Sequence, residues 1–211
     1  MKNEIFCHHT GKNYPYTVSI GLDTMMTLSL NDDWSAAKSE AINELRKLYP
    51  NGMQESESGR ILTEYGLTDY GWNWVNKIAH CSSKEYEWFY LIAEGKVQAV
   101  CIIYHPKSSI IDGENIFYID YIASAYWNRN RPGYKRRFSS AGTKLISFAV
   151  DHATAKLGYR PGFSLHSLPT AEAYYRRIGM TPYECDPQKE NLRYFEANIT
   201  CANSIREAKH A

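Results

Sequence analysis

Arg137-Phe-Ser-Ser-Ala-Gly142-Thr-Lys-Leu-Ile146 runs into an apolar-periodic segment, then Phe163-Ser-Leu-His-Ser-Leu-Pro169, then Ala171-Glu-Ala-Tyr-Tyr175-Arg-Arg-Ile-Gly179-Met180. A tight turn of small residues opens a helix, a short strand follows, and a second helix stops at a glycine. Ser139, Ser140, Ala141 and Gly142 let backbone amides approach an anion closely. A helix N-terminus adds about half a positive charge there. Such a turn holds a pyrophosphate, and it also serves as an ordinary serine helix cap.

Upstream, Tyr86–Ala93 and Val97–His105 are apolar, β-branched and aromatic runs joined by Glu94-Gly95-Lys96, which predicts a hairpin. Pro106–Asn115 reads as a loop and Ile116–Ala125 as a buried strand. Thr143–Leu157 is a predicted helix with Gly158 at its C-cap, and Thr170–Ile178 another ended by Gly179. Thr181–Cys185 and Leu192–Thr200 form a final antiparallel pair, with the last ten residues frayed. Toward the N-terminus, residues 14–30 suggest one or two strands, and Asp32 or Asp33 caps a helix reaching Leu48. Residues 51–60 read as an exposed loop, and Trp72, Trp74, Val75 and Ile78 as a helix over Asp69–His80. These elements make one α/β fold with a mixed sheet.

Bulk properties bound the function. The 211 residues suit one domain with an N-terminal strand elaboration over 1–30. A net charge of +1 gives no global pull toward nucleic acid or anionic membrane. Seventeen tyrosines and five tryptophans imply an aromatic core. The five cysteines, at 7, 81, 101, 185 and 201, show no Cys-x-x-Cys spacing, and reduced thiols are expected. Cys101 in an apolar strand reads as inert. His8-His9 lack ligand spacing, so no metal is expected. No apolar run approaches the roughly 20 residues that span a bilayer, and the N-terminus lacks a signal-like apolar segment. A cytoplasmic protein is the expectation.

The segment resembles the GNAT family, the Gcn5-related N-acetyltransferases, over about residues 85–200. Their acetyl-CoA loop, Gln/Arg-x-x-Gly-x-Gly/Ala, matches Arg137, Ser140 and Gly142, with serine in place of the middle glycine. Their Tyr-x-x-x-Gly-Phe matches Tyr175, Gly179 and Met180. Asp120-Tyr-Ile-Ala-Ser-Ala-Tyr-Trp-Asn128 is similar to the fourth strand of a bacterial subgroup with an acidic residue there followed by Trp-Asn. The resemblance implies a GNAT-like acyl-CoA N-acyltransferase fold: a mixed, mostly antiparallel sheet flanked by helices. In that fold the fourth and fifth strands splay and acetyl-CoA lies between them.

The resemblance also implies roles. The cofactor arm would pair with Ile122, Ala123 and Ser124, and the pyrophosphate would sit on Phe138, Ser139, Ser140, Ala141, Gly142 and Thr143 beside Arg137. Tyr175 would protonate the departing thiolate; its neighbour Tyr174 shows how common a core tyrosine is here. Asp120 lies mid-strand in apolar sequence, where a carboxylate is costly unless solvated or paired. It is a candidate general base, through water because aspartate is short, or a strand-end aspartate bonded to a loop. Alternation puts Asp120 on one face with Ile122, opposite Ile119 and Tyr121. His166 is an alternative base. Leu168 stands where the family often has asparagine. The expected activity is acetyl transfer from acetyl-CoA to a primary amine, small molecule or protein, by direct attack.

Two other readings stay open. A catalytically degenerate relative would bind CoA or a partner only. A GNAT toxin would act on aminoacyl-tRNA, with Arg129, Arg131, Lys135, Arg136 and Arg137, interleaved with Tyr126, Trp127 and Tyr134, contacting RNA. The same basic run also suits the phosphates of CoA. The N-terminal strands extend the sheet or mediate a homodimer.

Overall fold

The structure, a computed structural model, describes residues 3–207. Its strands are β1 (Glu4–Cys7), β2 (Lys12–Ile20), β3 (Tyr86–Ala93), β4 (Lys96–Ser108), β5 (Asn115–Ser124), β6 (Phe163–Ser167), β7 (Thr181–Asp186) and β8 (Leu192–Ala197). Its helices are α1 (Thr24–Leu48), α2 (Glu55–Glu64), α3 (Trp74–Ile78), α4 (Ala141–Lys156), α5 (Glu172–Arg177) and α6 (Ile199–Glu207). The strands form one sheet in the order β1-β2-β3-β4-β5-β6-β8-β7, antiparallel everywhere except between β5 and β6. Among the described residues no helix is long and apolar enough to cross a membrane.

Alternation along β3 and β4 builds two cores. Phe89, Leu91, Cys101 and Ile103 face α4 and α6. Trp88, Tyr90, Val100 and Ile102 face α1, α2 and α3. The β3–β4 turn has φ of 52° at Glu94 and 72° at Gly95, the two left-handed residues that a tight two-residue hairpin requires.

Several N-terminal expectations are corrected. The helix expected from Asp32 or Asp33 starts at Thr24, because Asp23 caps it by accepting from the Met26 amide at 2.8 Å. Thr27, Leu30, Trp34, Ala41 and Leu45 then share its buried face, so Leu28 and Leu30 are helical rather than strand. β1 adds a strand before the expected ones. Residues 51–60 are not all loop: α2 begins at Glu55, with Glu55 and Glu57 favourable in its first turn and Ile61 buried. The helix expected over Asp69–His80 contracts to α3, which Asn73 caps. β4 continues through Pro106 to Ser108 rather than ending in the expected loop. At the other end β8 stops at Ala197. Residues expected to fray form α6, which buries Cys201, Ala202 and Ile205; residues 208–211 lie outside the described ones.

Candidate functional site

β5 and β6 pair only at Phe117↔Phe163, Tyr118↔Ser164 and Ile119↔Leu165. Beyond that the strands diverge, and residues 120–124 have no sheet partner on the β6 side. On the β4 side, Ile103 pairs with Ile119 but Ile102 pairs with Tyr121, so Asp120 is the extra residue of a bulge. This corrects the alternation expected there. Ile119 and Ile122 both pack toward α4, and Tyr121 toward α3. Asp120 therefore sits unpaired where the strands part.

Two cavities open along this gap. One, of about 250 Å³, is walled by Ile122, Ala123, Ser124, Asn128, Arg136, Phe138, the α4 N-terminus from Ser140 to Thr143, Tyr174 and Tyr175. The other, of about 440 Å³, holds Asp120, Tyr118, His166, Leu168, Lys77 and Lys189. Ile122 and Tyr175 line both and mark the junction.

The first cavity takes in the opening turn of α4. The opening amides of a helix have no intrahelical acceptor, and Ser140 makes no side-chain cap bond to them. Ser140 itself is left-handed, with φ of 64° and ψ of 12°, a conformation that glycine adopts at least cost. A Cβ on Gly142 would lie 3.8 Å from Ser124 Oγ and 3.9 Å from Ile122 Cδ1, so the helix end sits directly against β5. Thr143 Oγ1 and the Tyr174 hydroxyl bond at 2.8 Å, tying α5 to the first turn of α4.

Asn128 positions this turn. Its Nδ2 donates to the Gln98 carbonyl at 3.1 Å and to Gln98 Oε1 at 2.9 Å, and its Oδ1 accepts from the Phe138 amide at 3.0 Å. Trp127 Nε1 donates to the same Gln98 Oε1 at 2.7 Å. The Trp-Asn pair thus fastens the loop to β4, a role that its sequence gave no means of assigning.

Some residues expected at the phosphates are elsewhere. Arg137 pairs with Glu94 at the β3–β4 turn, and neither it nor Ser139 lines the cavity. The Phe138 ring is in the core and its amide is taken by Asn128. Arg129 donates to both Asp69 oxygens, at 2.5 and 2.9 Å, to the Gly66 carbonyl and to Ser124 O. It is a clasp between β5 and the segment before α3, and it occupies the carbonyl of Ser124. Arg131 pairs with Glu44. Arg136 is the arginine of the run that lines the cavity.

The second cavity is made of titratable side chains. Burial raises the Asp120 carboxyl above its ordinary range, partly offset by Lys189, Lys77 and the Cys81 thiol, whose Sγ is 3.9 Å from Oδ2. Burial also pushes the Cys81 thiol up to about 11. Lys77, which sequence reasoning missed, is brought down to about 8 by burial. His166 Nδ1 bonds the Tyr118 hydroxyl at 2.8 Å, and its Nε2 lies 3.3 Å from Asp186 Oδ2. With both nitrogens engaged and its pKa lowered by burial, His166 holds Tyr118 in place. Tyr175 is 6% exposed, packed on Tyr174 and Phe195, and burial raises its phenol, so it stays protonated. Among the described residues no group of three or more His, Cys, Asp or Glu is arranged to hold a metal.

No protein-family model and no curated protein matches the chain. Solved structures do. An acetyltransferase from Thermus thermophilus is 10% identical, with 86% of this chain and 96% of that one covered and a TM-score of 0.51. A Pyrococcus horikoshii protein is 14% identical, with coverages of 86% and 98% and a TM-score of 0.50. The PaiA N-acetyltransferase of Thermoplasma acidophilum, in complex with coenzyme A, is 12% identical, with coverages of 86% and 99% and a TM-score of 0.48. At these identities the likeness is one of architecture. With its mixed, mostly antiparallel sheet flanked by helices, the chain has the fold of the GNAT acyl-CoA N-acyltransferases.

Proposed function

We propose that the chain is an acyl-CoA-dependent N-acyltransferase that moves an acetyl group from acetyl-CoA to a primary amine. One observation carries the reading: an unpaired strand edge joins a cavity at a helix N-terminus to a cavity holding a buried carboxyl, and Tyr175 stands at the junction. The amides at the start of α4 suit the pyrophosphate of acetyl-CoA. The free edges of Ile122 and Ala123 suit its pantetheine amides, while Ser124 offers less because Arg129 holds its carbonyl. The thioester would then reach the junction.

In this reading the acceptor amine enters the second cavity and Asp120 takes its proton, directly or through water. A carboxyl with a raised pKa is a better base toward an ammonium than an ordinary one. The neutral amine attacks the thioester carbon, loses its remaining excess proton to water as the C–S bond breaks, and Tyr175 delivers its proton to the departing sulfur. Holding both reactants in one gap supplies much of the acceleration. His166, with both nitrogens occupied, serves this scheme less well than Asp120. The tRNA reading is weakened by Arg129 and Arg131, which spend their charge on Asp69 and Glu44.

Calorimetric titration with acetyl-CoA, beside 3′-dephospho-CoA, tests the reading, followed by an amine screen with Asp120→Asn and Tyr175→Phe as controls. Saturable binding with turnover lost in both variants supports it. Absence of binding at millimolar acetyl-CoA overturns it. Binding with no turnover on any amine points to a CoA-binding protein without chemistry.

A further inference from the structure

Behind Asp120 the molecule carries an amine of its own. α3 is short but firmly seated. Trp74 is 4% exposed, packs edge-on against Trp34, and its amide donates to Asn31 Oδ1 at 3.1 Å. One turn on, Lys77 reaches back over the rings. Its Nζ is 3.1 Å from the centroid of Tyr121, 4.7 Å from that of Trp72 and 5.7 Å from that of Trp74. Among the described residues its ammonium makes no hydrogen bond and no ion pair. Lysines on a surface keep their ammonium in water or on a carboxylate; this one is held by π faces, with Cys81, Asp120 and Asp69 acting only through space.

Lys77 and Asp120 also share two openings. Both line the 440 Å³ cavity that contains Tyr175. Both line a further cavity of about 270 Å³ on the other side of Trp72, with Asn76, His80, Cys81 and Tyr86. Lys77 is a primary amine on a four-carbon stem, beside the one carboxyl at the bulge, in the cavity where an acceptor would be placed.

We propose that Lys77 is an internal acyl acceptor: in the absence of an external amine, the chain acetylates its own Lys77 from acetyl-CoA. This rests on the acyltransferase reading above. The ammonium gives its proton to Asp120 through an intervening water, and Nζ attacks the thioester carbon. The C–N bond forms, the nitrogen loses its second proton to solvent as the C–S bond breaks, and the CoA sulfur leaves with the proton of Tyr175, whose phenoxide is reprotonated from solvent. One acetyl-CoA yields one Nε-acetyllysine and one CoA. Burial weakens the hold of this amine on its proton, so the neutral nucleophile is more populated near neutral pH than for an ordinary lysine. The product has lost the charge that the rings held and fills the cavity with an amide, so the modification stops at one turnover and closes the site to other amines.

The full-length chain, incubated with acetyl-CoA alone, is followed by intact mass and peptide mapping. The expected result is a single acetyl group on Lys77, with a rate saturable in acetyl-CoA and independent of protein concentration. It is at least ~10-fold slower in Tyr175→Phe. Lys77→Arg keeps a cation over the rings, still binds acetyl-CoA in calorimetry, and takes up no acetyl group. If acetyl-CoA binds but Lys77 is labelled no faster than the exposed Lys84 and Lys156, the proposal is overturned and the acyltransferase reading stands. A rate proportional to protein concentration means transfer between copies and also overturns it. If calorimetry shows no acetyl-CoA binding, both fall together.

Discussion

The two halves of the cleft are built from different materials. Toward α4 a helix N-terminus opens onto the cavity and hydrogen bonds fix its geometry: Asn128 on Gln98 and Phe138, Thr143 on Tyr174. Toward α3 the walls are ionisable groups displaced from their ordinary pKa by burial: Asp120, Lys77, Cys81, Tyr118 and His166. A backbone cradle recognises phosphate whatever side chains surround it. A set of perturbed side chains carries chemistry and selectivity. A substitution in one half should therefore move binding of the donor, and one in the other half should move turnover.

The sharpest test is at the junction. Tyr175→Phe removes only a hydroxyl, whose phenol burial keeps protonated. It is expected to lower turnover ~10²–10⁴-fold while acetyl-CoA affinity, read by calorimetry, stays within about a factor of two. Equal loss of both would place Tyr175 in the donor half and break the division.

Asp120→Asn comes next, with a turnover loss of ~10²-fold at saturating acetyl-CoA. It also carries a stability signature. Burial raises the folded carboxyl above its unfolded value, so the native state holds that proton more tightly. Its favourable contribution is present below the unfolded pKa of about 3.9 and is lost as pH rises through the raised value. At neutral pH the buried charge is a cost, which asparagine removes. Asp120→Asn should melt at a higher temperature than the parent at pH 7, with the difference shrinking toward pH 4. A variant that melts lower at pH 7 would mean that Lys77, Lys189 and Cys81 more than offset the burial.

In the donor half, Asn128→Ala deletes three hydrogen bonds and leaves the Phe138 amide without its acceptor. A cost of about 1–3 kcal/mol in denaturant unfolding is expected, with a weaker affinity for acetyl-CoA. The turnover of what remains folded and saturated should change far less than in Asp120→Asn.

The same division explains what could be read from sequence. The hairpin at Glu94-Gly95 and the small-residue turn into α4 are announced by turn chemistry, and the strand Phe163–Ser167, although it pairs with the distant β5 and β8, is announced by its own short run between Gly162 and Pro169. Lys77 in the cavity of Asp120, Arg129 on Asp69 and Arg137 on Glu94 are meetings of residues tens of positions apart, set by how helices and loops pack on the sheet. No local pattern marks them, so the basic run reads as phosphate-binding until its partners are seen. The bulge at Asp120 is of the same kind: one residue out of register reverses an alternation that the sequence taken alone predicts wrongly. Asp23 does not stand out as a cap in the sequence, because the apolar spacing before Ala37 suits a strand as well as a helix.

The smallest expected effect is also the most diagnostic of the backbone cradle. Ser140 sits in the left-handed region at φ of 64°, which strains a residue with a Cβ by about 1 kcal/mol, and its hydroxyl makes no capping bond that would compensate. Ser140→Gly relieves the strain in the folded chain, while a freer unfolded chain gives part of the gain back. A net stabilisation of about 0.5 kcal/mol is expected in denaturant unfolding. If the pyrophosphate rests on main-chain amides alone, removing the Cβ leaves acetyl-CoA affinity equal or improved. If affinity falls instead while stability rises, the serine hydroxyl is itself a phosphate ligand. The donor half would then recognise through a side chain where the cradle argument requires only backbone.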